Sequence, residues 1–517
     1  MNNYTKFWST LFLFSFLLLN QNAHAQLKSP NEKLYRPAIH FTPLSNWMND
    51  PNGMVYYNGV YHLFYQHNPE APVWGPMHWG HATSKDLMHW KHLPIAIYPD
   101  SLGTIFSGSA VVDKNNTSGF GDANHTPLVA IYTQHSMEGE KAGKNDFQNQ
   151  SIAYSLDAGK TWVPYKGNPV IKTPQRRDFR DPKVFWHEKT NQWVMVLAVG
   201  PFIEIYNSGN LKDWEKVSQV GGEGMGVHDG NWECPDLISF EVKDNLSGQN
   251  KTVWVLIVNV NPGAPNKGSG TQYFVGDFDG KKFAPFSKKE KWMDYGPDNY
   301  AGVTWSNTGE RKILAGWMSN WLYARDVPTT HWRSGLTIPR ELNLVYYNNE
   351  YRLVSEPVKE LSNLVVANKK YVNILLDKPF HFKLPLSVLN TMPCKINITT
   401  LKTENLELVL SNNKNEQVVI GFDKNSQHFF IDRTKSGQVQ FQTDFSGIHK
   451  APRISNEQGI NMTVVIDKAS VELFADQGLT VMTELFFPST PFNNITLRSS
   501  EKAAIKSIQY TALKSIY

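Results

Sequence analysis

Three short motifs in the first half of the chain each carry a carboxylic acid next to a proline or a tryptophan. Residues 47–53 read WMNDPNG, residues 179–182 read FRDP, and residues 232–236 read WECPD. Two carboxyl groups are enough to cleave a glycosidic bond, because an ionised one attacks the anomeric carbon and a protonated one supplies the leaving-group proton. The acids in these motifs are Asp50, Asp181 and Glu233.

The neighbours of two of these acids predict different protonation states. Arg180 directly precedes Asp181, and a nearby guanidinium favours the ionised carboxylate. Glu233 lies between a tryptophan and a cysteine, and apolar neighbours favour the protonated acid. Without further evidence, the same features also fit a surface ion pair and turn residues before proline.

The three acids also stand at comparable places, because each begins a run of residues typical of a β-strand. In a β-propeller the blades surround one central channel, and the innermost strand of each blade starts there. Acids at the starts of three innermost strands would therefore meet in that channel. Several aromatic residues nearby suit the apolar faces of sugars: Trp47, Trp74, Trp79, Phe106, Trp232, Trp317 and Trp321.

A repeated pattern supports a propeller. An apolar strand is followed by Ser-X-Asp or a similar turn and then by an aromatic residue, and the spacing of the copies suits one four-stranded blade plus a loop. Asn58-Gly59, between two β-rich runs, predicts a hairpin. We therefore predict an all-β fold with a five-bladed β-propeller over residues 33–350, although hairpins of a β-sandwich remain an alternative. The repeated aromatic residues are Trp90, Trp162, Trp214 and Phe283.

The composition changes after the propeller. All 16 tryptophans precede residue 335, and short alternating runs then continue to the end of the chain. Residues 351–365 are predicted to be a linker with a short helix, because Ser355 can cap a helix and Pro357 can occupy its first turn. Residues 366–517 are predicted to form a β-sandwich without catalytic residues.

Composition and charge exclude several classes of protein. The 517 residues include 51 basic and 47 acidic side chains, and a net charge of +4 gives no basis for nucleic-acid binding. The two cysteines, Cys234 and Cys394, are expected to be buried free thiols. Six histidines between residues 62 and 92 have no spacing typical of a zinc site, so neither a metal nor another cofactor is predicted.

The N-terminus predicts export. Lys6 is the only charged residue among the first 25, residues 7–19 are apolar, and residues 23–25 read AHA. This is the pattern of a signal peptide over residues 1–25, cleaved before Gln26. No later segment has 18 consecutive apolar residues, so we expect no membrane insertion of the mature chain. The predicted location is the periplasm or the extracellular space.

The three motifs, in this order and spacing, resemble glycoside hydrolase family 32, which contains invertases, inulinases and levanases. The resemblance extends over nearly the whole mature chain. Further segments agree with it: FYQHNP (64–69), WGHA (79–82), FSGS (106–109), WRSG (332–335) and VELFADQG (471–478). The resemblance implies a five-bladed propeller followed by a β-sandwich.

The resemblance also implies roles for the acids. Asp50 would be the nucleophile that attacks the fructosyl C2, and Glu233 the general acid and then the general base. Asp181 would bind fructose hydroxyls and stabilise the transition state, with net retention of configuration. Cys234 would be structural or would tune Glu233. The implied substrate-binding residues are Asn49, Gln66, Trp74, Phe106, Ser107, Arg180 and either Trp317 or Trp321.

The expected activity is release of terminal fructose from levan or inulin, with sucrose also cleaved. Alternatives within the resemblance are an endo-levanase or endo-inulinase, a sucrose-preferring invertase and a fructosyltransferase. An inverting arabinan- or xylan-cleaving propeller and a non-catalytic sugar-binding propeller are more distant alternatives. The sequence predicts no oligomeric state.

Overall fold

The structure is a computed structural model that describes residues 30–243, 249–382 and 393–517. The predicted signal peptide at residues 1–25 lies outside the described residues. Strands dominate this part of the chain, and no helix in it is both long and apolar enough to cross a membrane. The α-helices are α1 (Pro30–Tyr35) and α2 (Met137–Lys141).

The N-terminal part forms five antiparallel sheets that follow one another along the chain. The first contains β1 (Asn46–Tyr57), β2 (Val60–Asn68), β3 (His78–Ser84) and β4 (Trp90–Ile97). The second contains β5 (Thr104–Val112), β6 (Leu128–His135), β7 (Gln148–Ser155) and β8 (Val163–Pro164). The third contains β9 (Phe179–His187), β10 (Gln192–Val199), β11 (Phe202–Ser208) and β12 (Glu215–Gly221).

The fourth sheet contains β13 (Asn231–Lys243), β14 (Asn250–Asn261), β15 (Gly270–Phe278), β16 (Phe283–Pro285) and β17 (Lys291–Trp292). The fifth contains β18 (Tyr300–Thr304), β19 (Lys312–Trp317), β21 (Arg340–Tyr347) and β22 (Glu350–Pro357). Between β19 and β21, the short strand β20 (Trp332–Arg333) returns to pair in parallel with β1 of the first sheet.

The first strands of the five sheets contact one another in a closed ring. β1 contacts β5, β5 contacts β9, β9 contacts β13, β13 contacts β18, and β18 contacts β1 again. This is the arrangement of a five-bladed propeller, so the predicted fold is confirmed. Asp50, Asp181 and Glu233 lie on the first strands β1, β9 and β13 of three different blades.

The repeated aromatic residues mark the fourth strand of each of the first four blades. Trp90 and Phe283 begin β4 and β16, and Trp162 and Trp214 directly precede β8 and β12. In the turn before Trp162, the Ser155 hydroxyl donates to Asp157 at 2.8 Å. These turns are local and satisfy their own polar groups, which is why the sequence reveals them.

Every first strand is interrupted by a β-bulge, in which two of its residues face a single residue of the next strand. The bulged pairs are residues 49–50, 106–107, 181–182, 234–235 and 301–302. A bulge bends the strand and changes the direction of its side chains. The same local irregularity is therefore repeated around the ring, and four of the five bulges contain a candidate site residue or Cys234.

The boundary between the two domains differs from the prediction. Ser355 and Pro357 belong to β22, which pairs with β21 along its whole length, so the fifth blade continues to Pro357. The short helix is a 3₁₀ helix, Lys359–Leu364, and it has no side-chain cap. The predicted cap at Ser355 is therefore wrong, because pairing with β21 satisfies that backbone instead.

The C-terminal domain is a β-sandwich of two six-stranded sheets, as predicted. One sheet contains β23 (Val365–Leu376), β25 (Cys394–Thr400), β30 (Asn461–Ile466), β31 (Ser470–Ala475), β32 (Thr480–Leu485) and β34 (Ala503–Leu513). The other contains β24 (Phe380–His381), β26 (Leu406–Ser411), β27 (Gln417–Asp423), β28 (His428–Lys435), β29 (Ile448–Pro452) and β33 (Asn494–Arg498).

Buried ion pairs join the propeller to the sandwich. Arg340 of β21 donates to Glu472 of the sandwich at 2.5 and 3.1 Å and to Asp294 of the propeller at 2.9 Å. All three side chains are fully buried. Removing one partner of a buried ion pair leaves an uncompensated charge in the interior, which is strongly destabilising.

We predict that Arg340→Met lowers the free energy of unfolding by about 3–5 kcal/mol, because it removes the guanidinium from buried Asp294 and leaves Glu472 with His40 as its remaining charged partner. Chemical denaturation followed by tryptophan fluorescence measures the change. Arg311→Met is the matched control, since Arg311 pairs with Glu341 and Glu360 at a partly exposed site and should cost about 1 kcal/mol or less. Equal losses in the two variants would contradict the prediction.

Candidate active site

A pocket of about 290 Å³ opens at the end of the ring where the first strands begin. Asp50, Asp181 and Glu233 all line it, so the predicted convergence of the three acids is observed. The structure also brings most of the predicted substrate-binding residues to the same pocket. These are Asn49, Gln66, Trp74, Phe106, Ser107, Arg180 and Trp321.

Asp50 is held by neutral donors. The Asn49 amide donates to Oδ1 at 2.9 Å, and the Ser107 hydroxyl donates to Oδ2 at 2.8 Å. Asn49 is fixed in turn by the Trp47 indole N–H at 2.7 Å. Burial raises the pKa of Asp50, and these bonds oppose the effect. The carboxylate is therefore oriented without a cation that would neutralise its charge.

Asp181 lies deeper, with a left-handed backbone at φ 64° in its bulge. Its Oδ2 accepts the backbone N–H of Cys234 at 3.0 Å, while the Arg180 Nε is 4.0 Å away. Burial outweighs the attraction of Arg180 and raises the pKa of Asp181 to about 7. Arg180 thus lies beside Asp181, as predicted, but its attraction does not offset the effect of burial on this carboxyl group.

Arg180 forms a hydrogen-bonded ion pair with Glu233. Its Nη2 donates to Glu233 Oε1 at 2.9 Å, and its Nη1 donates to Asp178 at 2.6 Å. The Tyr300 hydroxyl donates to the other oxygen, Oε2, of Glu233. The apolar surroundings predicted for Glu233 are therefore wrong: its carboxyl group faces a guanidinium and a phenol, and its side chain is 22% exposed.

Cys234 lies between two acids of the site. Its Sγ is 3.5 Å from Oδ2 of both Asp50 and Asp181, and burial raises the pKa of the thiol well above its ordinary value. The Asn259 side-chain amide donates to the Cys234 carbonyl at 2.9 Å, which fixes the bulge. The thiol of Cys234 thus contacts Asp50 and Asp181, and it can donate its one proton to only one of them at a time.

The two candidate tryptophans occupy different positions. Trp321 lines the pocket, whereas Trp317 is fully buried behind it and packs on Trp321 with ring centroids 4.8 Å apart. Trp317 is therefore not a pocket residue. It lies at the end of β19, paired with Tyr300, and its ring also packs on Trp47 of the first blade, with ring centroids 6.1 Å apart.

Several pocket residues were not predicted. The wall beside Phe106 is built by His135, whose ring is stacked on Phe106 at 4.2 Å, and by Glu140 of α2, which contacts His135 at 3.0 Å. Tyr300 begins the fifth first strand, so the strand-start argument used for the acids also applies to it. The other unpredicted residues are Phe147, Gln148, Arg177, Asp178, Asn261 and Arg325.

The histidine-rich segment is packed within the first blade. His62 and His81 have ring nitrogens 3.2 Å apart, and burial lowers their pKa values to about 4 and about 3. Within residues 30–243, 249–382 and 393–517, no group of three or more His, Cys, Asp or Glu side chains is arranged to hold a metal ion.

The raised pKa of Asp181 predicts how stability depends on pH. Between the ordinary value of 3.8 and about 7, the folded chain keeps a proton that the unfolded chain releases. This group therefore favours unfolding increasingly as the pH rises through that range. We predict that Asp181→Asn raises the melting temperature by about 2 °C at pH 8 and by less at pH 5. Calorimetry at both pH values measures this, and an equal shift at both would contradict it.

A propeller with acids from three blades in one sugar-sized pocket defines a class of protein, the glycoside hydrolases. The profile of the glycosyl hydrolases family 32 N-terminal domain matches residues 40–357, and that of the family 32 C-terminal domain matches residues 360–512. The chain belongs to glycosyl hydrolase family 32 and is an enzyme that acts on O-glycosyl bonds.

Curated relatives and solved structures agree with this family. A levanase of Bacillus subtilis is 45% identical, with 98% of this chain and 75% of the levanase covered. The extracellular exo-inulinase of Aspergillus niger is 40% identical, with 88% and 90% covered. The crystal structure of the exo-inulinase from Aspergillus awamori superposes with a TM-score of 0.85 at 35% identity, covering 95% of this chain and all of that chain.

A further solved structure carries a ligand. The β-fructofuranosidase of Schwanniomyces occidentalis, complexed with fructosyl-erythritol, has a TM-score of 0.85 and 34% identity, with 95% of this chain and 99% of that chain covered.

Proposed function

We propose that the protein is a retaining exo-acting β-fructosidase that releases terminal fructose from levan or inulin and also cleaves sucrose. The observation that carries this proposal is the meeting of Asp50 and Glu233, from two different first strands, in one pocket. The relatives support the substrate class, since they are named levanase, exo-inulinase and β-fructofuranosidase.

In the first step, Asp50 attacks C2 of the terminal fructosyl unit while Glu233 donates its proton to the leaving oxygen. The product is a fructosyl ester of Asp50 and a released alcohol. In the second step, Glu233 removes a proton from water, the water oxygen attacks C2, and the ester bond breaks. Two inversions give net retention of configuration.

The surroundings of the acids suit these roles. The neutral donors Asn49 and Ser107 aim the Asp50 carboxylate without a cation that would weaken it as a nucleophile. Arg180 and Tyr300 hold both oxygens of Glu233, which fixes the direction of proton transfer. Asp181 would bind fructose hydroxyls, with contacts that strengthen in the transition state.

The size of the pocket supports exo action. Its volume of about 290 Å³ is at the small end of the range for small-molecule sites. Beneath it, next to Pro51, Pro182 and Pro235, the space narrows to a void of about 10 Å³. Such a blind pocket suits one terminal sugar better than the middle of a chain.

We predict that Tyr300→Phe lowers kcat by about tenfold, because a hydrogen bond to a charged group is lost while the shape of the side chain is kept. Steady-state kinetics with sucrose measure the change, and the melting temperature of the variant should stay near that of the unchanged protein. An unchanged kcat, or a large drop in melting temperature, would contradict a role of Tyr300 in orienting Glu233.

The proposal includes export through a signal peptide cleaved before Gln26. The sequence of residues 1–25 supports it, and the exo-inulinase relatives are described as extracellular. N-terminal sequencing of the protein recovered outside the cytoplasm tests it. A mature chain that begins at Met1 would refute the cleavage.

Early products from levan, inulin and sucrose test the function. The mature protein is incubated with each substrate, and the first products are separated by chromatography. Free fructose as the sole early product from a polymer is the expected result. A ladder of fructo-oligosaccharides would mean endo action, and a dominant trisaccharide at high sucrose would mean fructosyl transfer. Proton NMR of the first-formed anomer tests retention.

A further inference from the structure

The sandwich carries a groove that the proposed reaction does not use. It has a volume of about 670 Å³, compared with about 290 Å³ for the pocket of the three acids. The groove lies on the outer face of the sheet that contains β26, β27, β28, β29 and β33. Residues 425–426 and 498–500 form two of its walls.

One row of side chains crosses the floor of the groove from strand to strand. Arg498 pairs with Glu407, Glu407 with Gly421, Gly421 with Phe430, and Phe430 with Lys450. Because side chains alternate along a strand, this row points away from the sandwich core. The residues that flank it in sequence, such as Leu406 and Leu408, belong to the core.

Gly421 lets an aromatic ring lie on the floor. A Cβ atom at this glycine would be 2.4 Å from Cζ of Phe430, so the Phe430 ring covers the bare backbone of the neighbouring strand. The ring is thereby held against the sheet, and Phe430 lines the groove with its outer side. A ring fixed in this way is a planar apolar platform whose rotamer freedom is already restricted.

The polar groups beside the ring are balanced in charge. The Arg498 Nε donates to Glu407 Oε2 at 2.6 Å, and these side chains remain 45% and 38% exposed. This bond uses one of the five guanidinium N–H donors and part of the carboxylate. Lys450 and Asp423 add one charge of each sign to the lining. A platform with many donors and acceptors but no net charge suits a neutral polyhydroxylated ligand better than an ion.

We propose that this groove binds a fructan chain, at a second site distinct from the pocket of the three acids. The inference rests on the proposed function, because a polymeric substrate is what makes a second contact on another domain useful. A chain held in the groove stays near the enzyme between cleavage events. The ends of the fructan chain are then present near the pocket at a raised effective concentration. This strengthens the apparent affinity for the polymer without new contacts in the pocket.

Phe430→Ala in the full chain tests the proposal. We expect KM for levan or inulin to rise by about tenfold, with kcat/KM for sucrose unchanged because sucrose needs only the pocket. Phe430→Trp should keep most of the polymer affinity, since it retains an aromatic platform. The matched control is Phe286→Ala, which removes a half-exposed phenylalanine of the propeller. The amine of Lys251 lies 4.9 Å from the centre of that ring.

Three outcomes would overturn the proposal. The first is an equal KM for the polymer in Phe430→Ala and Phe286→Ala. The second is an equal loss of activity on sucrose and on the polymer in Phe430→Ala. The third is a change in the oligomeric mass of Phe430→Ala with no change in its affinity for the polymer. A binding measurement separates failure of this proposal from failure of the proposed function. If the unchanged protein hydrolyses neither polymer, retardation of unchanged and Phe430→Ala protein in gels containing levan or inulin still decides whether the groove binds them.

Discussion

Asp50→Asn is expected to lower kcat for sucrose and for fructan by about 10⁵-fold, because it removes the nucleophile and leaves the pocket otherwise intact. The amide keeps the size of the carboxylate and can still accept the hydrogen bond from Ser107. Substrate binding should therefore change much less than turnover. Steady-state kinetics over a range of enzyme concentrations measure the residual rate.

The control for Asp50 is Asp178→Asn, which also removes a pocket carboxylate. Asp178 is 37% exposed and pairs with Arg180, so its loss should lower kcat by less than about tenfold. The melting temperatures of both variants should stay near that of the unchanged protein. Near-normal turnover in Asp50→Asn would show that another group attacks the substrate.

Glu233→Ala is expected to lower kcat for sucrose by about 10³-fold, because the glucose leaving group then departs without a proton. A substrate with a good leaving group, such as fructosyl fluoride, needs no such proton. It should therefore load Asp50 at a nearly normal rate in the variant. The second step lacks its general base, so the fructosyl-enzyme should accumulate and be detectable by mass spectrometry of the intact protein.

Azide separates the two roles of Glu233. As an anionic nucleophile it needs no general base, so it should attack C2 of the accumulated ester, release Asp50 and form a fructosyl azide with retained configuration. Glu140→Gln is the matched control, because Glu140 also lines the pocket and azide should not accelerate that variant. No azide product from Glu233→Ala would contradict the assignment.

The parts of the fold that the sequence predicts are those built from local signals. Asn58 and Gly59 both adopt the positive φ that their hairpin requires, at 49° and 80°. The polar groups of the turns before Trp90 and Trp162 likewise form hydrogen bonds within a few residues, so the repetition of these turns reveals the blades. Ser355 shows the limit of such signals, since the hairpin of β21 and β22 places in a strand a residue that is suited to capping a helix.

In the site, too, some features could be predicted from the sequence and others could not. The sequence correctly predicts that Asp50, Asp181 and Glu233 meet, because each begins the first strand of a blade and these strands surround one channel. That argument needs only the order of the blades. Sequence adjacency, by contrast, reveals only the weaker partner of Arg180. Its Nε is 4.0 Å from Asp181, whereas its guanidinium donates hydrogen bonds to Asp178 and to Glu233 of the neighbouring blade. Such contacts between blades leave no trace in local sequence.

The ring of bulges has a consequence for how this scaffold can acquire new chemistry. The extra residues of a bulge lie outside the regular hydrogen-bond ladder, so their side chains can be exchanged with little effect on strand pairing. Three blades present bulge residues to the pocket, whereas the fourth and fifth present the residue just before the bulge, Glu233 and Tyr300. Ala301 of the fifth bulge is fully buried with a left-handed backbone at φ 53°, so a larger side chain there would have to displace packed neighbours. New functional groups are therefore most easily installed on this scaffold at the bulges of the first three blades.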